Sequence, residues 1–117
     1  GKFAENSFVE QQCLLGRGFS KTVMVGVLTD EAQNKSTVEI EDSIKESVIG
    51  INLEQEKHAH IGAVILSKEA WSVENEVLTP TMKIRRDRVE EQFGVQAEDL
   101  ARTAAEAGEL LVIWDSS

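Results

Sequence analysis

The sequence predicts an α+β domain: a small, three-stranded, mostly antiparallel sheet with helices packed against it. Segments rich in Val, Leu and Phe at 8–15 and 22–29 flank a glycine-containing turn at 16–20, a pattern typical of an antiparallel hairpin. The segment 60–66 is continuously apolar from Ile61 onward, which indicates a third, buried strand in the middle of the sheet. Between the hairpin and this strand, apolar residues at helical spacing predict a helix that covers the sheet.

That helix is predicted to run from 37 to 56. Ser36 stands three residues before Glu39, which fits a capping box at the helix start. Its apolar face is formed by Ile40, Ile44, Val48 and Ile51. Gly50 is a weak point that costs about 1 kcal/mol relative to alanine.

A projecting loop containing Pro80 is predicted to follow the third strand, and C-terminal helices follow the loop. The first helix spans 86–93 and is closed by Gly94, and an alanine-rich helix at 97–107 is closed by Gly108. The segment 110–114 is interpreted either as a last strand or as a docked tail.

Composition limits the function classes. A chain of 117 residues with 41% hydrophobic residues is predicted to form one domain with a modest core. A net charge of −9 argues against general affinity for nucleic acid or for anionic membranes. No apolar run reaches membrane-spanning length, so no transmembrane segment is expected and a cytoplasmic location is predicted. The single cysteine, Cys13, is interpreted as a buried thiol rather than a nucleophile.

Four cations within six residues interrupt this acidic composition at Lys83, Arg85, Arg86 and Arg88. They could meet a phosphate-bearing ligand, or they could form a solvated helix start paired with Asp87, Glu90 and Glu91. Pro80 fixes its own φ and biases Thr79 toward extended geometry, so residues 79–81 should hold Lys83 on a stiff loop.

Other candidate sites are weaker. His58 and His60 have a spacing compatible with a metal, but no third ligand is apparent, so solvent exposure is the preferred interpretation and no metal site is predicted. Trp71 could line an interface or fill the core, and the core is preferred. The sequence has no glycine-rich phosphate loop and nothing like a Ser-His-Asp or Cys-His nucleophile set.

The densest motif is Trp71-Ser72-Val73-Glu74-Asn75 followed by Leu78-Thr79-Pro80-Thr81-Met82-Lys83-Ile84. It resembles the C-terminal signature of ATP-dependent, AMP-forming acyl-CoA synthetases of the adenylate-forming superfamily, most closely that of long-chain fatty-acyl-CoA ligases. The resemblance extends over about 8–93. One departure concerns Glu76, where the family usually places glycine, so a turn that needs positive φ would be strained there.

The start of the chain poses an alternative. Gly1-Lys2-Phe3 resembles a run that follows the inter-domain hinge in this family, which normally continues into a Pro-containing helix. Either that helix has been lost here, or a segment is omitted near residues 3–4. The second interpretation is preferred, because the resemblance resumes at Phe8.

The resemblance implies that residues 1–117 are a single C-terminal lid domain of a fatty-acyl-CoA ligase. It implies that Lys83 contacts the substrate carboxylate and the α-phosphate of ATP, and that the domain then rotates so that CoA can attack, with Gly1 and Lys2 on the CoA side. The ATP loops, the Mg²⁺-binding glutamate and the acyl tunnel belong to the large N-terminal adenylation domain, the implied partner. ATP, CoA and a fatty acid are therefore substrates of the whole enzyme.

The chain alone is accordingly expected to bind no cofactor and to be inactive. For the whole enzyme, a peripheral attachment to membranes is left open. The alternative function is a freestanding protein-interaction or regulatory module derived from such a domain. A plain interaction module that uses its sheet edge and acidic helix is a further alternative.

Overall fold

Four strands form one mixed sheet in the order β1-β2-β3-β4, in a computed structural model that describes residues 6–115. The strands are β1 (Val9–Leu15), β2 (Thr22–Leu28), β3 (Ile61–Ser67) and β4 (Leu111–Trp114). β1 pairs antiparallel with β2, whereas β2–β3 and β3–β4 are parallel pairs. The α+β class is confirmed, but the expected three-stranded, mostly antiparallel sheet is wrong.

The parallel pairs follow from the helices that connect the strands. α1 (Thr37–Asn52) lies between β2 and β3, and α2 (Arg86–Ala107) lies between β3 and β4. A helical crossover returns the chain to the end where the previous strand began, so the next strand runs in the same direction. The direct turn between β1 and β2 instead gives the predicted antiparallel hairpin, with Gly18 at a φ of +78°.

The start of α1 is confirmed, and its end comes earlier than 56. The hydroxyl of Ser36 accepts a hydrogen bond from the backbone N–H of Glu39 at 3.1 Å. At the other end, the side-chain amide of Asn52 donates to the carbonyl of Ile61 and accepts from its N–H, both at 2.9 Å. Asn52 thus ties the helix end to the first residue of β3.

α2 is one continuous helix, so the predicted break at Gly94 is wrong. Its buried face recurs every three or four residues through Val89, Phe93, Ala97, Leu100, Ala101 and Ala104. Burial of this face on the sheet outweighs the cost of one interior glycine, about 1 kcal/mol. Gly108 ends the helix at a φ of +68°, as the sequence predicts for a left-handed C-terminal cap.

The segment 110–114 contains a strand, which resolves the alternative in favour of β4. The indole N–H of Trp114 donates to the carboxylate of Glu41 at 2.7 Å, which links β4 to α1. One face of the sheet packs against α2, and the opposite face packs against α1. The expectation of helices on the sheet is therefore met on both faces, and the buried residues divide into two clusters.

None of the helices within residues 6–115 combines the length and the apolar character needed to cross a bilayer. Gly1 and Lys2, and the proposed discontinuity near residues 3–4, lie outside the described residues.

Candidate functional site

The segment 68–85, here called the Lys83 loop, connects β3 to α2. Three of its side chains are buried against the α2 face of the sheet: Trp71, Val77 and Leu78. Trp71 is only 4% exposed, so its placement in the core is confirmed. These apolar anchors hold the base of the loop against the folded core, although most of its other residues are exposed.

The base of the loop is also joined to β1. The side-chain amide of Gln11 donates to the carbonyl of Trp71 at 2.9 Å and accepts from its N–H at 2.8 Å. This amide reproduces the paired hydrogen bonds of a neighbouring strand. It lies where the β1–β2 register shifts, between Val9 and Gln11. The sequence analysis did not identify Gln11, because a single glutamine in a strand carries no local signal of a partner 60 residues away.

Asn75 organises the first turn of the loop. Its side-chain oxygen accepts from the N–H of Ser72 at 2.9 Å, and its side-chain nitrogen donates to the carbonyl of Ala70 at 2.9 Å. The hydroxyl of Ser72 in turn accepts from the N–H of Asn75 at 3.1 Å. Asparagine and serine commonly close turns in this way. This part of the motif therefore has a local structural role.

The next residue, Glu76, has a φ of +68°. Positive φ thus occurs at the position where the motif that this segment resembles usually has glycine, so the strain considered in the sequence analysis is present at Glu76. The Glu76 carboxylate lies 3.6 Å from the guanidinium of Arg88. The backbone carbonyl of Glu76 accepts a 3.4 Å hydrogen bond from the guanidinium of Arg85. Both contacts join the turn to the start of α2.

We expect Glu76→Gly to keep the fold, to change the loop only locally, and to leave the free energy of unfolding within about 1 kcal/mol of the parent value. Relief of the left-handed strain offsets the extra unfolded-state entropy of glycine and the loss of an exposed ion pair. Glu74→Gly is the matched control, because Glu74 is also exposed but is not among the residues with positive φ. Urea unfolding should show a larger loss for Glu74→Gly, and the reverse order would contradict strain at Glu76.

The tip of the loop is a tight turn that ends at Lys83. Leu78 and Ile84 form an isolated antiparallel bridge across it. Within the bridge, the N–H of Thr79 donates to the carbonyl of Lys83 at 2.8 Å, and the N–H of Met82 donates to the carbonyl of Thr79 at 2.8 Å. Pro80 lies at the exposed turn, as predicted for a stiff projecting loop. Met82 has a φ of +68°, a strained position that the sequence analysis missed.

The four cations of the basic cluster differ in their partners. Arg85 lies 3.4 Å from Asp87, and Arg88 lies 3.1 Å from Glu91. Arg86 donates to the carbonyl of Leu14 on β1. The solvated-helix interpretation therefore describes Arg85 and Arg88, although Arg88 pairs with Glu76 as well.

Lys83 is exposed and differs from the three arginines, whose side chains each have a partner. Among residues 6–115, no carboxylate lies within ion-pair distance of its ammonium group. The structure thus presents an uncommitted cation on a well-anchored turn, which is an arrangement that can approach an anionic ligand.

The weaker candidates do not form a site. The imidazole of His58 lies 3.5 Å from the carboxylate of Glu56, and that of His60 contacts the carbonyl of Gln55 at 2.9 Å. Residues 6–115 contain no group of three His, Cys, Asp or Glu side chains that could hold a metal ion. Cys13 is buried, as predicted, and burial raises the pKa of its thiol.

No protein-family model matches the chain, and no curated protein sequence matches it. Solved structures that share its fold include two from carboxylate reductases. The A-PCP didomain of carboxylic acid reductase from Segniliparus rugosus, in complex with AMP, matches 90% of the chain with a TM-score of 0.70 at 22% identity. The adenylation domain of a carboxylate reductase from Mycobacterium chelonae matches 85% of the chain with a TM-score of 0.65 at 21% identity.

The chain spans only 15% and 16% of the lengths of these two solved chains. At this level of identity the likeness concerns the fold. The chain therefore has a fold that also occurs as a small part of larger carboxylate-reductase chains, one of them solved with AMP.

Proposed function

We propose that this chain is the mobile C-terminal domain of an AMP-forming fatty-acyl-CoA ligase, and that Lys83 supplies the cation for the adenylation step. The observation that carries the proposal is the state of Lys83. It is exposed, without an ion-pair partner among residues 6–115, at the tip of a turn whose base is anchored to β1 and to the core.

Adenylation brings together two groups that repel each other, the carboxylate of the acid and the α-phosphate of ATP. A cation held near both offsets the repulsion and stabilises the charge that develops on the transferring oxygens, an effect of about 3 kcal/mol or more for a well-placed donor. A lysine suits this role because it is a compact charge on a long stem. An ion pair to Lys83 within the domain would offset its charge, and Lys83 forms none among residues 6–115.

The proposal assigns the other parts of the reaction to a larger partner domain of the same protein. ATP, Mg²⁺ and the acyl chain would be held mainly there, and the small domain would rotate to let CoA reach the acyl-adenylate. This division is supported by the small share of the solved chains that the fold covers. Gly1 and Lys2 are proposed to face CoA after the rotation.

A second candidate is favoured by the fold comparisons. Both solved relatives belong to carboxylic acid reductases, so the same small domain could serve an enzyme that reduces the activated acid instead of transferring it to CoA. The motif at 71–84, which resembles that of long-chain ligases, favours the CoA reaction. The two candidates share the adenylation step and the role of Lys83, and they differ in the product.

The test compares the 117-residue chain with the whole protein that contains it, given ATP, Mg²⁺ and a fatty acid. We expect the whole protein to release pyrophosphate and to form acyl-CoA when CoA is added. We expect the chain alone to fold as a monomer and to release none, because the nucleotide site is assigned to the larger domain. An aldehyde product in place of the thioester would select the reductase candidate.

Two outcomes would overturn the proposal itself. One is a whole protein that releases no pyrophosphate with any carboxylic acid offered. The other is pyrophosphate release by the purified 117-residue chain, which would require a complete ATP site within it.

A further inference from the structure

We propose that the hydroxyl of Thr79 is the positioning group for Lys83, so that Thr79 sets the direction in which the lysine projects. The inference rests on the proposed function of Lys83 and names the residue on which the geometry of that site depends. Thr79 does not touch the reacting groups in this proposal. It acts through the backbone of the tip.

Every polar group of Thr79 is hydrogen-bonded to one or two of residues 81–83. Its N–H donates to the carbonyl of Lys83 at 2.8 Å, and its carbonyl accepts from the N–H of Met82 at 2.8 Å. Its hydroxyl oxygen accepts from the N–H of Lys83 at 3.0 Å. The same hydroxyl lies 3.2 Å from the hydroxyl of Thr81. Thr79 therefore closes the turn on both polar groups of the Lys83 backbone.

The conformation of Met82 explains why this closure matters. Met82 has a φ of +68°, which side-chain-bearing residues adopt only when their surroundings impose it. The two peptide N–H groups on either side of the Met82 α-carbon are those of Met82 and Lys83, and both are bound by Thr79. Without the hydroxyl, the second of these restraints is lost and Met82 can relax toward negative φ. Such a rotation would redirect the Lys83 side chain that follows.

Proline does not provide this restraint. Pro80 fixes its own φ and limits Thr79, but Met82 lies two residues further along the chain. The apolar anchors Val77 and Leu78 precede the tip and hold its base. The bond from the Lys83 N–H to the Thr79 hydroxyl is thus the side-chain contact that, together with the backbone bond from the Thr79 N–H to the Lys83 carbonyl, fixes the side of the turn on which the lysine lies.

Three variants separate this role from a merely structural one. Thr79→Val removes the hydroxyl with little change of shape, and Thr79→Ser keeps it. Thr81→Val is the matched control, because it makes the same chemical change two residues away. Within residues 6–115 the Thr81 hydroxyl hydrogen-bonds only to the Thr79 hydroxyl, so its loss leaves the bond from Lys83 to Thr79 in place.

The first measurement is amide hydrogen exchange at Lys83 in the 117-residue chain. We expect Thr79→Val to speed this exchange about 3- to 10-fold, because the amide loses its acceptor while the rest of the fold remains protected. Thr79→Ser and Thr81→Val should stay within about twofold of the parent chain. Unchanged exchange in Thr79→Val would overturn the proposal, whatever the enzyme does.

The second measurement is adenylation by the whole protein. We expect Thr79→Val to lower kcat about 10- to 100-fold with little change of KM, since a misdirected cation affects the transition state more than substrate binding. Thr79→Ser, which keeps the hydroxyl, should retain most of the parent rate of adenylation. An equal loss in Thr81→Val would contradict a role specific to the Thr79 hydroxyl.

The two measurements also separate this inference from the proposed function. Thr79→Val could speed exchange at the Lys83 amide and yet leave adenylation unchanged. In that case the Lys83→Ala variant shows which of the two proposals is wrong. Should Lys83→Ala abolish adenylation, the positioning role of Thr79 is refuted. Should Lys83→Ala also be active, the contact is real but the function proposed for Lys83 is refuted.

Discussion

Replacing Lys83 with alanine in the whole protein should lower the rate of adenylation by about 100-fold or more, in line with the loss of one charge-stabilising contact. The second half-reaction should be largely spared. In the proposed mechanism Lys83 leaves the reacting centre when the domain rotates, so a variant given preformed acyl-adenylate should make thioester at nearly the parent rate. Pyrophosphate release measures the first step, and thioester formation from added acyl-adenylate measures the second.

Lys35→Ala is a suitable control for this experiment. Lys35 is also an exposed lysine, but it lies before α1 rather than on the Lys83 loop. Its replacement should leave both half-reactions unchanged. Equal losses in both half-reactions of Lys83→Ala would indicate a folding or docking defect, and normal adenylation would refute the assignment of Lys83.

Of the substitutions considered for stability, Phe93→Ala should have the largest effect, lowering the free energy of unfolding by about 3–5 kcal/mol. Phe93 is 1% exposed and packs from α2 into the cluster that also contains Trp71, Val77 and Leu78. A domain of this size has a total free energy of unfolding of roughly 5–15 kcal/mol, so this single cavity should remove a large share of it. The midpoint and slope of urea unfolding give the value.

Val95→Ala provides the matched control on the same helix. Val95 is two residues away on the opposite side of α2 and is 88% exposed, so its truncation should change the free energy of unfolding by less than about 0.5 kcal/mol. Similar losses at both positions would mean that α2 does not bury the face described above. A selective loss at Phe93 would support the packing that anchors the base of the Lys83 loop.

Several local features could be predicted from the sequence because their causes lie within a few residues. Ser36 accepts the N–H of Glu39 within one helical turn, and Gly108 adopts the left-handed conformation that ends α2. The β1–β2 hairpin is set by two strands joined by a direct turn. The buried state of Trp71 was likewise predicted, and Glu76 was identified as the position where a turn with positive φ would be strained.

Apart from the positive φ of Met82, the misses concern interactions between distant parts of the chain. Gly94 suggested a helix end, but α2 continues because its apolar face is buried on the sheet, a gain that no local propensity records. The parallel pairing and β4 depend on where α1 and α2 return the chain. A four-residue strand is also too short to show a periodicity of its own.

For the candidate site, the sequence by itself determined that a lysine follows a proline-containing turn between β3 and a basic helix start, and the motif identified Lys83. Only the tertiary structure decided that Lys83 has no ion-pair partner within residues 6–115 while Arg85 and Arg88 do. It also decided that Gln11 anchors the loop to β1. The physical reason is that a residue's type and neighbours determine its local conformation, whereas its charge partners and anchoring contacts depend on which distant segments the fold brings within hydrogen-bonding distance.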